Sequence, residues 1–197
     1  MLAESDTKQQ RRLQILQEAR NLFARYGLKK TSMDDIAEAV GLVKTSLYYY
    51  FDNKEELFQA VIRYEGQILI NRLKQEINRY ESPQRKLRAY VITRMEYLKE
   101  LVNLYRLTRT SAQELLPLVE GERQQFFEEE KRLVLDILEE GSRKNVFKVL
   151  DPEIITMIII ASLRGLEPTI LMYHDRQLSQ SDYNAILDVL FYGILRG

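Results

Sequence analysis

The stretch "TSMDDIAEAVGLVKTSLYYYF", residues 31–51, ends in three tyrosines and a phenylalanine. Such a run is ordinarily buried, yet Lys44, Thr45 and Ser46 stand just before it and give it a polar, lightly basic approach. From its start, Ser32 suits the N-cap of a helix and Asp35 the reciprocal box position three residues on. Asp34 and Asp35 both favour the positive end of that helix's dipole. Ile36, Ala37 and Val40 form an apolar stripe at helical spacing, and Gly41 permits a sharp turn. A second short helix over about residues 44–50 follows at once. Two short helices joined by a glycine turn predict a helix-turn-helix.

That pattern assigns duties to its residues. The first short helix offers backbone N–H groups and the Thr31 and Ser32 hydroxyls to a phosphate. The second lays its first residues into the major groove, where Lys44 donates to guanine O6 and N7 and Thr45 and Ser46 read either donors or acceptors. Leu47 points back into the core with Phe51. Tyrosine hydroxyls reach phosphates while their rings pack on sugars or thymine methyls. The plain alternative is that all three tyrosines only pack a helical hairpin. Paired acid/base catalysis by Asp34 and Asp35 is set aside, because adjacent residues on a helix diverge by about 100° and dipole stabilisation accounts for both.

Working outward, residues 8–26 place Leu13, Leu16, Ala19 and Phe23 on a helical face that stops at Gly27, a left-handed cap. Asn53 caps a long fourth helix to about residue 80, with Glu56 at the box position. Ser82-Pro83 starts a helix to about residue 102, another ends at Leu116-Pro117, and a third covers about 120–144. Asp151-Pro152 restarts the chain, and a final helix spans about 179–195. No β-alternation appears, so the fold class is all-α with about nine helices.

The segment resembles the tetracycline-repressor (TetR) family of transcriptional regulators. The matching residues are "TSMDDIAEAVGL", then "LYYYF", then "NKEEL" over 53–57, preceded by "ILQEARNLFARYGLKKTS". The resemblance covers about residues 12–62 strongly, with a fainter match at "EEGSRKNVFKVLDPE", 139–153. It implies a DNA-binding domain over 1–54 and an effector-binding and dimerisation domain over 55–197. It makes Lys44, Thr45 and Ser46 the base-edge readers and Tyr48 and Tyr49 contacts to backbone and bases. Tyr50 and Lys54 would hold phosphates, and Met33 would offer a backbone N–H. Val43 departs from the family's commonly polar residue, so readout there is expected to be contact with a thymine methyl, or none.

In the larger body, Tyr90, Arg94 and Tyr97 share one helix face. Arg94 could meet the polar end of a ligand or pair with an acidic side chain within the chain. Tyr105, Phe126, Met157 and Ile160 could complete an apolar cavity, or be core. The stretch "IITMIIIASLRGLEPTIL", which includes Ile158, is apolar nearly all round and calls for cover on several sides. Tyr183, Ile186, Leu187, Leu190, Phe191 and Ile194 give the last helix a face wide enough to pack inward and against a second copy. Two-fold symmetry would double the few base pairs that one recognition helix reads, so a homodimer on palindromic double-stranded DNA is expected.

Composition narrows the rest. Hydrophobic residues at 45% and charged ones at 29% suit a globular chain. With no cysteine and a single histidine, His174, thiolate chemistry and a multi-imidazole metal site are excluded. No cofactor and no metal are expected, and no convergent polar motif suggests an enzyme. The first residues lack the apolar core of a signal peptide, and the longest apolar run, 154–163, is too short to span a bilayer. A cytoplasmic protein without a membrane partner is expected. Residues 1–54 carry a charge balance of +2 against −2 for the remainder, which allows a nucleic-acid face without demonstrating one. The expected function is a DNA-binding regulator, a repressor, released by a small hydrophobic effector. The alternatives are a constitutive DNA-binding protein without effector, an enzyme on a helical scaffold, and a helical adaptor without DNA affinity.

Overall fold

The computed structural model describes residues 2–97, 112–172 and 179–192. Among the described residues lie eight helices and no strand, as the all-α reading expects. They are α1 (Leu2–Tyr26), α2 (Met33–Ala39), α3 (Lys44–Tyr48), α4 (Lys54–Ile77), α5 (Pro83–Tyr97), α6 (Ala112–Arg143), α7 (Pro152–Met172) and α8 (Gln180–Tyr192). The expected break at Pro117 does not occur, because α6 runs straight through it. So close to the helix start a proline removes one backbone hydrogen bond, which a helix of 32 residues tolerates. Tyr105, His174 and Ile194 lie outside the described residues, as do the side chains of Leu190 and Phe191.

The described residues fall into two compact units, one drawn from 1–66 and 102–123, the other from 67–101 and 124–197. In the first, the buried seam of α1 is Ile15, Leu16, Ala19 and Phe23. Leu13, expected on that seam, is exposed, because the face is set by the four-residue steps Ile15–Ala19–Phe23 toward α4. The Phe23 ring meets Phe58 edge-on at 5.2 Å, and Arg20 donates to the buried Glu65 at 3.0 Å. Partner numbers fall along α1 as they rise along α4, so the two helices run antiparallel.

Three turns then set the orientation of α2 and α3. Gly27 at φ 82° ends α1, its N–H bonding Phe23 O at 2.9 Å. At the other end of α2, Gly41 has φ 66°; its N–H donates to Glu38 O at 3.0 Å and that of Leu42 to Ala37 O at 2.8 Å. This is a Schellman ending, which closes two orphan carbonyls at once. Asn53 Oδ1 accepts from Glu56 N at 2.7 Å, and the Glu56 carboxylate accepts from Asp52 N at 2.6 Å, fixing the entry to α4.

In the second unit α6 ends in another Schellman turn, with Asn145 at φ 54° and Val146 N donating to Gly141 O at 2.8 Å. The turn folds Phe147 back over Gly141, where the ring is buried. Along α7 the apolar run divides cleanly. Thr156, Ile159, Ile160 and Leu163 are buried, whereas Ile154, Met157 and Ile158 are exposed.

Candidate nucleic-acid interface

The capping box at the head of α2 forms as its residues dictate. Ser32 Oγ accepts from Asp35 N at 3.2 Å, and Asp35 Oδ2 accepts from Ser32 N at 2.8 Å and from Ser32 Oγ at 2.7 Å. The Ser32 hydroxyl holds the Asp35 carboxyl below its usual range, its backbone bond adding to this. Ser32 stays exposed, but its N–H and its hydroxyl both donate to Asp35, so holding a phosphate would mean giving up one of those bonds. Thr31 is different: it is buried, and its hydroxyl donates to Gly27 O at 2.9 Å. That hydroxyl closes the turn after α1 and is not turned outward as expected. Met33 is buried too, which leaves only its backbone for a ligand.

α3 has five residues, and Leu47 is its only buried side chain. Val43, Lys44, Thr45, Tyr48 and Tyr49 are exposed, Ser46 and Tyr50 half-buried, and Phe51 is core. Leu47 and Phe51 therefore anchor the segment from within while its other side faces solvent. A bundle of packing tyrosines would show the reverse. Tyr49, 69% exposed, is the most open of the three and meets Tyr50 edge-on at 5.3 Å.

The basic side chains around α3 are held at defined places. Lys44 Nζ donates to Asp34 Oδ2 at 2.7 Å, and this hydrogen bond, with the charge of Asp34, raises its pKa above the ordinary lysine value. Lys54 Nζ donates to Leu28 O at 2.9 Å, tying the start of α4 to the turn after α1. Lys8 lies 4.4 Å over the Tyr49 ring and donates to its hydroxyl at 3.3 Å. Sequence reasoning passed over Lys8. Nothing local to "KQQRR" tells which residue 41 positions later it will meet.

The residues named for a ligand in the second unit are placed differently from one another. Tyr90 and Arg94 are buried, and both donate to Glu130 Oε1, the tyrosine hydroxyl at 2.8 Å. Arg164 adds a bond to Glu130 Oε2 at 3.3 Å. Arg94 thus takes the intramolecular pairing that the sequence left as one of two options. Glu130 lies in "EEEK", 128–131, a run whose composition reads as a solvated helix face, yet it is 3% exposed. The signal was present: Phe126, Glu130 and Val134 recur at four-residue spacing and share the buried side of α6. Burial works to raise the Glu130 carboxyl, yet the Arg94 and Arg164 charges and the Tyr90 and Arg94 hydrogen bonds outweigh it and hold it below its usual value. Tyr90 is pushed well above the ordinary phenol, first by burial and then by Glu130.

Phe126 and Ile160 are buried, and Tyr97 is half-buried with Arg72 5.6 Å over its ring. Met157, expected to line a cavity, is exposed and shares the outer stripe of α7 with Ile154 and Ile158. On α8, Leu187 is 1% exposed within the single chain, so it has no surface left for a partner; Tyr183 and Ile186 are half-buried. Among the described residues no helix is long and apolar enough to cross a membrane, and no group of acidic residues is arranged to hold a metal.

Comparison with known proteins gives a consistent result. The family model of bacterial regulatory proteins, tetR family, matches residues 15–61. The HTH-type transcriptional repressor KstR2 of Mycolicibacterium smegmatis is 30% identical over 142 residues, covering 70% of this chain and 68% of that protein. A transcriptional regulator from Cytophaga hutchinsonii, of known structure, has a TM-score of 0.74 at 29% identity, covering 92% of this chain and 97% of that one. SmeT, the repressor of the Stenotrophomonas maltophilia multidrug efflux pump SmeDEF, was solved in complex with triclosan. That complex has a TM-score of 0.77 at 19% identity, over 94% of this chain and 92% of that one, which is a likeness of fold.

Proposed function

The chain belongs to the tetR family of bacterial regulatory proteins, and from that premise we propose a transcriptional repressor that holds operator DNA through α3 and releases it on binding a small apolar molecule in the second unit. The observation that carries the DNA half is the division of α3 and its C-cap: Leu47 inward, Lys44, Thr45, Tyr48 and the capping Tyr49 outward. α3 enters the major groove with Lys44, Thr45 and Ser46 at base edges. Tyr48, Tyr49 and Tyr50 contact sugars, phosphates and thymine methyls. Ser32, Lys54 and the Met33 N–H hold phosphates, and Lys8, delivered by its contact with Tyr49, adds one more. Lys54 must exchange the Leu28 carbonyl for the phosphate, or serve both.

For the effector, the SmeT–triclosan complex supports a small ligand in a protein of this fold. We place the effector against Tyr97, Phe126 and Ile160, which are buried or half-buried in the second unit. A ligand whose polar end sought Arg94 would compete with Glu130 for it, so the reading favours an apolar molecule. α4 and α6 each contribute residues to both units, which makes them the elements through which binding in one would reach the other. A hundredfold weakening of DNA binding needs about 2.7 kcal/mol of difference in ligand affinity between the two states. The protein acts as a homodimer on a palindrome, joined along the exposed stripe of α7 with help from α8.

The test is titration of the purified protein with the DNA flanking its own coding sequence, at several salt concentrations. Saturable binding tighter than to random DNA is expected. Lys44→Ala should weaken it and reduce its preference over random DNA, as expected when a base-reading side chain goes, whereas Lys54→Ala, which removes a phosphate contact, should lower the salt slope by about one. Tyr49→Ala should weaken it with a smaller change of slope. Equal affinity for all DNA, or none at low salt, would sink the reading.

A further inference from the structure

Between residues 43 and 50, Lys44 is the only charged side chain. It is tied across the helix-turn-helix to Asp34 of α2 at 2.7 Å, with 49% and 63% of the two side chains exposed. The adjacent carboxylates of α2 therefore have separate uses: Asp35 closes the capping box of its own helix, while Asp34 reaches out to α3. An exposed pair of this kind adds little to stability. Its position is the informative feature, because an acid stands beside the cation meant to read DNA, where the phosphates repel it.

We infer that Asp34 is a specificity-determining positioning residue, holding Lys44 toward base edges and penalising complexes in which a phosphate draws Lys44 away. This rests on the reading of α3 as the recognition helix. A lysine ammonium carries three donors on a long flexible stem. With one donor on Asp34, the others remain free for guanine O6 and N7, so base reading preserves the ion pair. Capture of Lys44 by a backbone phosphate breaks it and strands the Asp34 carboxylate in the field of the DNA. Phosphate capture is the sequence-independent mode of binding, so the penalty falls mainly on wrong sites. At a right site Asp34 can also accept from a cytosine N4–H.

The experiment measures affinity of four proteins, wild type, Asp34→Asn, Lys44→Met and the double variant. Each is titrated with a duplex from the DNA flanking the coding sequence and with a random duplex of equal length, across salt. For Asp34→Asn we expect random DNA to be bound about tenfold more tightly, with a salt slope steeper by about one, as a freed lysine neutralises one more phosphate. The flanking duplex should gain about threefold or less, so the specificity ratio falls. In the Lys44→Met background, Asp34→Asn should leave the ratio unchanged. Loss of the α2 dipole contribution would weaken binding to both duplexes, the opposite sign.

Four results overturn the inference: equal tightening on both duplexes, weakening on both, no change on either, or a shift in ratio that survives in the Lys44→Met background. Failure of the underlying reading shows separately, in the wild-type protein alone. A wild type without preference for the flanking duplex removes that reading, and the role of Asp34 falls with it.

Discussion

Tyr90 and Arg94 on α5 and Arg164 on α7 converge on one carboxylate, Glu130 of α6. Removing its charge takes from the buried Arg94 the carboxylate that it shares with Arg164. Glu130→Gln should therefore destabilise the protein by about 3 kcal/mol, the scale of a broken buried pair, read by chemical denaturation at pH 7. The pH dependence follows from the lowered pKa. Glu130's contribution is complete above the ordinary value of 4.5 and is lost as pH falls through the lower folded one. The gap between wild type and Glu130→Gln should thus narrow in acid below that window. A constant gap would mean that packing, not charge, holds the cluster. The face of Arg94 was legible from the spacing of Tyr90, Arg94 and Tyr97. Its partner was not, since it lies 36 residues away on another helix, inside an acidic run whose average character is solvated.

At the scale of elements, the turns read from sequence were those whose cause is local. Gly27 and Gly41 both adopt positive φ, as their positions after apolar helical faces suggest, and the Ser32–Asp35 box closes. Asn145 was missed because asparagine reaches the same conformation less often. The need for Gly141 comes from a ring that returns six positions later. The two glycines should respond differently to alanine. At Gly41 a Cβ meets nothing within 4 Å, so Gly41→Ala carries only the left-handed backbone cost, about 1–2 kcal/mol. At Gly141 the Cβ would stand 2.0 Å from Phe147 Cδ2. Helical propensity returns about 1 kcal/mol, but the ring must move from a buried place. We expect a net loss of about 2 kcal/mol or more from overpacking. Gly141→Ala paired with Phe147→Leu should recover part of it. Denaturation of the three variants decides the matter: a Gly141→Ala as stable as wild type would mean that the Phe147 ring has room to shift. Gly41→Ala should also weaken DNA binding, since that turn aims α3.

For the whole molecule the decisive surface is α7. Ile154, Met157 and Ile158 are exposed on one side while Thr156, Ile159, Ile160 and Leu163 fill the protomer on the other. The sequence showed a helix apolar nearly all round, but not which half belongs to the chain's own core. Four buried positions in a run of ten settle that inner half, and only three-dimensional packing could assign them. Met157 accordingly passes from the expected cavity to the outer stripe, and Leu187 from the expected interface to the core. If a second copy covers the stripe, a charge placed there should abolish association without harming the protomer. Ile158→Asp changes an exposed side chain, so its far-ultraviolet spectrum should match wild type while sedimentation shows a monomer. A single recognition helix then reads half a site. Affinity for the flanking duplex should fall by about 100-fold or more, given specific over non-specific ratios of at least 10³, with binding to random DNA much less affected. Lys44→Ala keeps the dimer, so its weakened binding to the flanking duplex should come with no change in sedimentation. Should Ile158→Asp remain dimeric, the contact between copies must lie elsewhere, with the side chains of α8 next to be tested. Should a monomeric wild type bind the flanking duplex tightly, two-fold reading of a palindrome would be wrong, and one α3 with its Lys8, Tyr49 and Lys54 contacts would have to supply all the specificity.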